Sequence, residues 1–102
     1  MESMPPDKGY RLLPAARLDL ENIWRYSFET WSLQQADDYQ RQLVDAFSAL
    51  ANGRKRGRDL QAIRPGYFSA VCNSHCIFYR KTETGILVVR ILHPRMDPMR
   101  HL

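Results

Sequence analysis

The sequence has little that could staple, anchor or arm it. Only Cys72 and Cys76 are available for a disulfide. No apolar run approaches the ~20 residues needed to span a bilayer, so no membrane partner is expected. The opening "MESMPPDKG" lacks the basic-then-apolar order of a secretory signal, and a cytoplasmic location is expected. Glycine-rich phosphate loops are missing too. "GRKRG" has neither P-loop spacing nor the Lys-Ser/Thr ending, and there is no Gly-x-Ser-x-Gly. No cofactor is implied. Acidic residues are the scarcer charge, 11 against 15 Lys+Arg, which gives a net charge of +4. That balance favours acidic partners, though weakly.

What is present reads as one α+β domain over residues 8–102 behind a flexible tail over 1–7. Tyr10 to Leu13 predicts a short strand. Pro14 suits the first position of a helix, where its missing N–H costs nothing. Ala16, Leu20, Ile23, Trp24, Ser27 and Trp31 then follow helical spacing, with Arg17, Asp19, Glu21, Asn22 and Arg25 off that stripe. Ser32 and Gln35 have capping-box spacing, and Ala36, Tyr39, Leu43, Ala46, Phe47 and Leu50 form a second apolar face. Asn52-Gly53 should end that helix. So short a link predicts an antiparallel helix hairpin. Tyr26, Phe28, Leu33 and Val44 fall beyond the main stripes and are spare apolar surface. A basic, turn-rich connection follows over 53–66. Three strands come next, Tyr67–Cys72, His75–Lys81 and Ile86–Leu92, the first two joined through Asn73-Ser74. The order is β-α-α-β-β-β, with the hairpin on one face of a small, mainly antiparallel sheet.

The candidate chemistry is thin. A two-residue turn would put Cys72 and His75 on one side of the sheet and Cys76 on the other. Three ligands then cannot converge, and neither a zinc site nor a Cys72–Cys76 disulfide is expected. A metal-independent ribonuclease would need an acid, a base and phosphate-binding cations. His75, His93 and Tyr79 could supply the first two, and Arg64, Arg80, Arg90 and Arg95 the last. Counting along an unbroken strand puts Arg90 with Ile86, Val88 and Leu92, and His93 with Leu87, Val89 and Ile91. The parity separates Arg90 from His93. The run Arg54, Lys55, Arg56 and Arg58 is either a solvated loop or an electrostatic patch. The aromatic residues Tyr10, Trp24, Trp31, Tyr39 and Phe47 lie at core spacing, so most should pack rather than stack on bases.

The ordered segments "YRLLPAARLDLENIWRYSFETWSLQQADDY", "IRPGYFS" and "HCIFYRKTETGILVVRILHPRMD", with "RHL" after them, resemble the ParE branch of the RelE/ParE toxin superfamily. The sequence departs from that pattern at Pro94, where Gln is usual, and at Phe68, where Arg is common. The resemblance implies a cytoplasmic toxin of a type II toxin–antitoxin pair that inhibits DNA gyrase and so replication. It implies neutralisation by a ParD-type antitoxin whose acidic tail wraps the toxin in a hetero-oligomer. Sequence-specific DNA binding by this chain itself is not expected. The alternative is a RelE-type ribosome-dependent mRNA endonuclease, which would draw on Arg80, Arg90 and His93. For the gyrase reading no catalytic residue is expected. Target binding would fall to Arg95, Met96, Asp97, Arg100 and His101, and antitoxin binding to Arg17, Arg25, Arg54, Lys55, Arg56 and Arg58.

Overall fold

The computed structural model describes residues 9–102, and the tail read over 1–7 lies outside the described residues. Strand β1 (Tyr10–Leu12) leads into helices α1 (Pro14–Thr30) and α2 (Leu33–Ala51). The Ser32 hydroxyl accepts from the Gln35 backbone N–H at 3.1 Å, which caps α2 as its spacing predicts. At the other end Gly53 takes φ +85°, the left-handed conformation that lets the chain leave the helix without a Cβ penalty. The two helices pack against one another as a hairpin.

One face of the hairpin meets the sheet. Leu43 and Phe47 from α2 and Ala16 from α1 are fully buried against Ile77, Val88 and Ile91. Burying each large apolar side chain contributes roughly 1.5–3 kcal/mol, so this layer holds the fold together. Val44, expected as spare surface, packs half-buried against that core. Trp31 departs in the opposite direction and is 66% exposed. It is the C-cap of α1, with φ −120° and ψ −83°. Leaving helical geometry takes its ring off the stripe to which its spacing assigns it.

The sheet has the order β1-β5-β4-β3-β2. Strands β3 (Phe68–Cys72), β4 (His75–Lys81) and β5 (Ile86–Leu92) match the predicted strands almost to the residue. They form an antiparallel meander, and β1 adds in parallel along β5. Cys72 pairs with His75 across the Asn73-Ser74 turn, with Asn73 at φ +53°. Cys72 and Cys76 are both free thiols. The fifth strand, β2 (Arg58–Asp59), is a correction to the loop expected over 53–66. Two residues carry no readable alternation. Beside the pairing stands Gly57, whose backbone hydrogen-bonds the Tyr79 hydroxyl. A Cβ at Gly57 would lie 2.1 Å from that oxygen.

The strand parity also needs correcting. Tyr79 pairs with Val88 and Phe78 with Arg90, so Val89 is an extra residue at a bulge. Beyond it the faces swap. Ile86, Val88 and Ile91 all join the hairpin-side core, while Arg90 and Leu92 turn to the other face. Arg90 therefore does not share a face with Ile86 and Val88. The far face is not bare, because Phe78, Val89 and Leu92 are buried there.

Candidate functional site

The end of β5 is where the polar side chains gather. On the edge facing β1, backbone pairing stops with Leu13 N–H donating to the Val88 carbonyl at 3.0 Å. The next outward donor on that edge, Ile91 N–H, finds no strand. It donates to Asp19 Oδ2 of α1 at 2.9 Å. The Arg90 guanidinium grips the same carboxylate with two bonds, Nε to Oδ2 at 2.7 Å and Nη2 to Oδ1 at 2.8 Å. A bidentate, largely sheltered pair of this kind is strong and fixed in orientation. Asp19 holds Arg90 more firmly charged than a free guanidinium.

Arg90 also reaches the C-terminal segment. Its Nη1 donates to the His101 carbonyl at 3.4 Å. That segment turns once, with Met96 N–H donating to the His93 carbonyl, and ends in helix α3 (Pro98–His101). Asp97 caps α3 by accepting from Met99 N–H at 3.0 Å. Arg100 and His101 lie in its last turn, where the helix dipole favours cations. Of the expected target-binding residues, Arg95, Asp97 and Arg100 are exposed, and Met96 and His101 are half-buried. The sequence places Asp19 off the apolar stripe. Yet it lies three residues after Ala16 and four before Ile23, and that spacing is the signal that it faces inward.

On the hairpin side of the same strand end lies a cavity of about 720 Å³. Ile23, Tyr26, Ser27 and Trp31 line it from α1 and its cap, Gln35, Asp38, Tyr39 and Gln42 from α2, and His75 and His93 from the sheet. Tyr39 is the hinge of its polar floor. Its hydroxyl accepts from Ser74 N–H at 3.0 Å and lies 2.7 Å from His75 Nδ1. The hydroxyl keeps its proton and a second lone pair for that contact, so Nδ1 accepts in one tautomer of His75 and donates in the other. His93 Nδ1 accepts from Arg95 N–H at 3.1 Å, so the proton of the neutral ring is on Nε2. The two rings meet edge to face with centroids 5.7 Å apart. Burial lowers the His75 pKa, and the neighbouring His93 lowers it further against an opposing pull from Asp19.

The third polar surface surrounds β2 and β3. Arg64 and Arg80 both lie over the Tyr67 ring, at 5.1 and 5.5 Å from its centroid. Arg54, Arg56 and Arg58 are exposed and Lys55 half-buried. The antiparallel hairpin puts exposed Arg17 nearer the end from which this basic connection leaves. Arg25 lies nearer the helix turn, beside Trp24 and Gln40. The structure thus groups the basic run with Arg17 more closely than with Arg25. Arg80 and Arg90 do not line the cavity that His93 lines.

Comparison with known proteins gives a consistent result. A family model described as ParE toxin of type II toxin-antitoxin system, parDE, matches residues 10–98. The chain is 44% identical over 94 residues to Toxin ParE1 of Mycobacterium tuberculosis (strain ATCC 25618 / H37Rv), spanning 91% of this chain and 96% of the relative. It is 36% identical to Toxin ParE1 of Caulobacter vibrioides, over 93% and 98% of the two chains. Toxin ParE of Escherichia coli is 34% identical, over 92% of each. A solved structure described as a chromosomal ParDE TA system from P. aeruginosa shares the fold. Its TM-score is 0.69 at 17% identity, over 83% of this chain and 94% of that one.

Proposed function

The chain belongs to the ParE toxin family of type II toxin–antitoxin systems, and from that premise we propose that it inhibits DNA gyrase by binding and is neutralised by a ParD-type antitoxin in the cytoplasm. The observation that carries the binding reading is that Arg80, Arg90 and His93, which a nuclease would recruit, are each engaged with another group of the chain. Arg90 is committed to Asp19 and His101. Arg80 lies against Tyr67. His93 has its Nδ1 engaged by Arg95 N–H and its ring against His75. What remains at the strand end is a turn and a short helix with exposed Arg95, Asp97 and Arg100, held to β5 by the Arg90 guanidinium. Met96 and His101 position that segment rather than meet the target first. In a supercoiling assay, saturating toxin should block gyrase, and replacing Arg95 and Arg100 together by alanine should relieve the block. Full supercoiling at saturation overturns the reading. Toxin-dependent cuts in mRNA of a translating extract would instead favour the RelE-type endonuclease.

For the antitoxin, the support is surface chemistry. Leu18, Tyr26, Phe28 and Leu33 are all about half exposed or more along the hairpin. Arg17, Arg25, Arg54, Lys55, Arg56 and Arg58 supply positive charge beside them. An acidic segment that folds on binding would bury the first set and neutralise the second. Replacing Arg54, Lys55, Arg56 and Arg58 together by alanine should weaken the complex on the order of tenfold or more at low salt and flatten its salt dependence. Unchanged low-salt affinity would remove that patch from the interface.

A further inference from the structure

The cavity at the hairpin-side end of β5 has a chemistry that the target-binding and charge-patch readings leave unused. Ile23, Tyr26 and Trp31 give its wall an apolar part, beside the polar Gln35 and Gln42. Its floor holds two imidazoles whose Nδ1 atoms are both engaged, that of His75 with the Tyr39 hydroxyl and that of His93 with Arg95 N–H. Nε2 is the nitrogen not used in those contacts, a donor in neutral His93 and in either ring once protonated. Once protonated, both rings offer Nε2–H to an acceptor rather than lone pairs to a cation. The cavity's own carboxylate, Asp38, is held at 3.0 Å by Arg41. An entering group should have an apolar stem and an anionic or acceptor tip.

We infer that this cavity is a subsite for one carboxylate side chain of the antitoxin's acidic segment, held by the His75 and His93 Nε2–H groups. The inference rests on the proposal that such an antitoxin covers the hairpin. It adds a regulatory consequence. A carboxylate placed on the imidazoles favours their charged form, so binding takes up a proton and the complex tightens as pH falls.

The groups facing His75 define the proton's setting. Asp19 faces it from α1, and Tyr39 and Asp38 from α2. Cys72 faces it across the β3–β4 ladder, and His93 from the end of β5. Of these, Asp19 and Asp38 already have cationic partners. Tyr39 is held neutral by burial, as is the Cys72 thiol. An incoming carboxylate is then the added charge that moves the His75 equilibrium.

The test is the dissociation constant of full-length toxin with the antitoxin encoded beside it, measured at pH 8 and pH 6. Wild type should bind about three- to tenfold tighter at pH 6, the effect of up to one unit of induced pKa shift. Calorimetry at pH 6.5 in two buffers of different ionisation enthalpy should show net proton uptake. His75→Gln should reduce both, and His75→Gln combined with His93→Gln should abolish them. His93→Gln, at an exposed position less able to disturb folding, should weaken the pH 6 complex. An affinity that ignores pH in wild type overturns this inference and leaves the antitoxin reading standing. A pH effect that survives both substitutions does the same. No complex at either pH overturns the antitoxin reading itself, and this inference with it.

Discussion

The two ends of β5 solve one problem by different means. At Ile86–Val88 the edge of the strand is closed by backbone, through β1 in parallel register and Leu13 N–H on the Val88 carbonyl. At Arg90–Leu92 there is no strand to close it, and a single carboxylate takes that place. A backbone closure tolerates most side-chain changes, because each residue brings the same N–H and C=O. A side-chain closure concentrates the work on one residue. In exchange it ties three elements together, α1 through Asp19, β5 through Arg90 and Ile91, and the C-terminal segment through the His101 carbonyl. The end that carries the proposed target-binding segment is thus the end held by side chains.

The backbone half should break hardest where backbones touch. A Cβ at Gly85 would sit 1.7 Å from the Gly9 carbonyl oxygen, and that oxygen accepts from Ile86 N–H at 2.8 Å. Gly85→Ala must push the start of β1 away and with it the packing of Tyr10 and Leu12 on the core. Steric changes of this kind cost about 3 kcal/mol or somewhat more when the opposing atom is backbone. For a domain near this size that is a fall in Tm of more than about 10 °C, which thermal unfolding would read directly. A Tm within a few degrees of wild type would mean that β1 is not needed as a closure.

The side-chain half should break next, and more selectively. The Asp19 and Arg90 side chains are only 13% and 20% exposed. Asp19→Ala leaves a sheltered guanidinium and the Ile91 N–H without their acceptor, a cost of about 2–3 kcal/mol. It should also loosen the hold on His101, so gyrase inhibition at a temperature where the variant is folded should fall further than that of Gly85→Ala at equal folded fraction. Asp19→Asn keeps one acceptor for Ile91 N–H and loses the charge, and should land between the alanine variant and wild type. Equal inhibition by all three, at equal folded fraction, would show that the clasp does not position the segment.

The same contrast explains what could be read from the sequence. Ser32 with Gln35, Asn52-Gly53, and the Asn73-Ser74 turn are local patterns, and each sits where its spacing puts it. The apolar faces of α2 and β5 are periodic, so the helix hairpin on a mainly antiparallel sheet was legible. The clasp joins residues 71 positions apart, and no window on the chain contains both. Face counting along β5 breaks at Val89, because a bulge adds one residue without changing the composition. It separates Arg90 from His93 all the same, because both lie beyond the bulge and their relative parity is unchanged. The pair His75–His93 with Tyr39 was likewise out of reach, since the cavity exists only once α2 lies beside the β3–β4 turn. Arg17 and the basic run were legible as charges but not as neighbours.

The smallest effect should come from protons, and it probes the open end of β5 from the other face. Burial holds the folded pKa of His75 below its ordinary value, with His93 adding to the shift. In the unfolded chain the imidazole titrates near ~6.5. As pH falls below that value the unfolded state binds a proton before the folded state does, so the stabilisation present above it is lost progressively down to the lowered folded pKa. The urea midpoint should therefore fall between pH 7.5 and pH 5.5, by less than either substitution above produces. Other groups titrate in that interval too, so the decisive quantity is the difference in slope between wild type and His75→Gln. The variant should lose the part of the slope that His75 contributes. Equal slopes would place the cost of acidification elsewhere. A smaller slope in the variant would tie the cost of an added proton to the Tyr39–His75–His93 floor, where antitoxin binding is inferred to turn that cost into a gain.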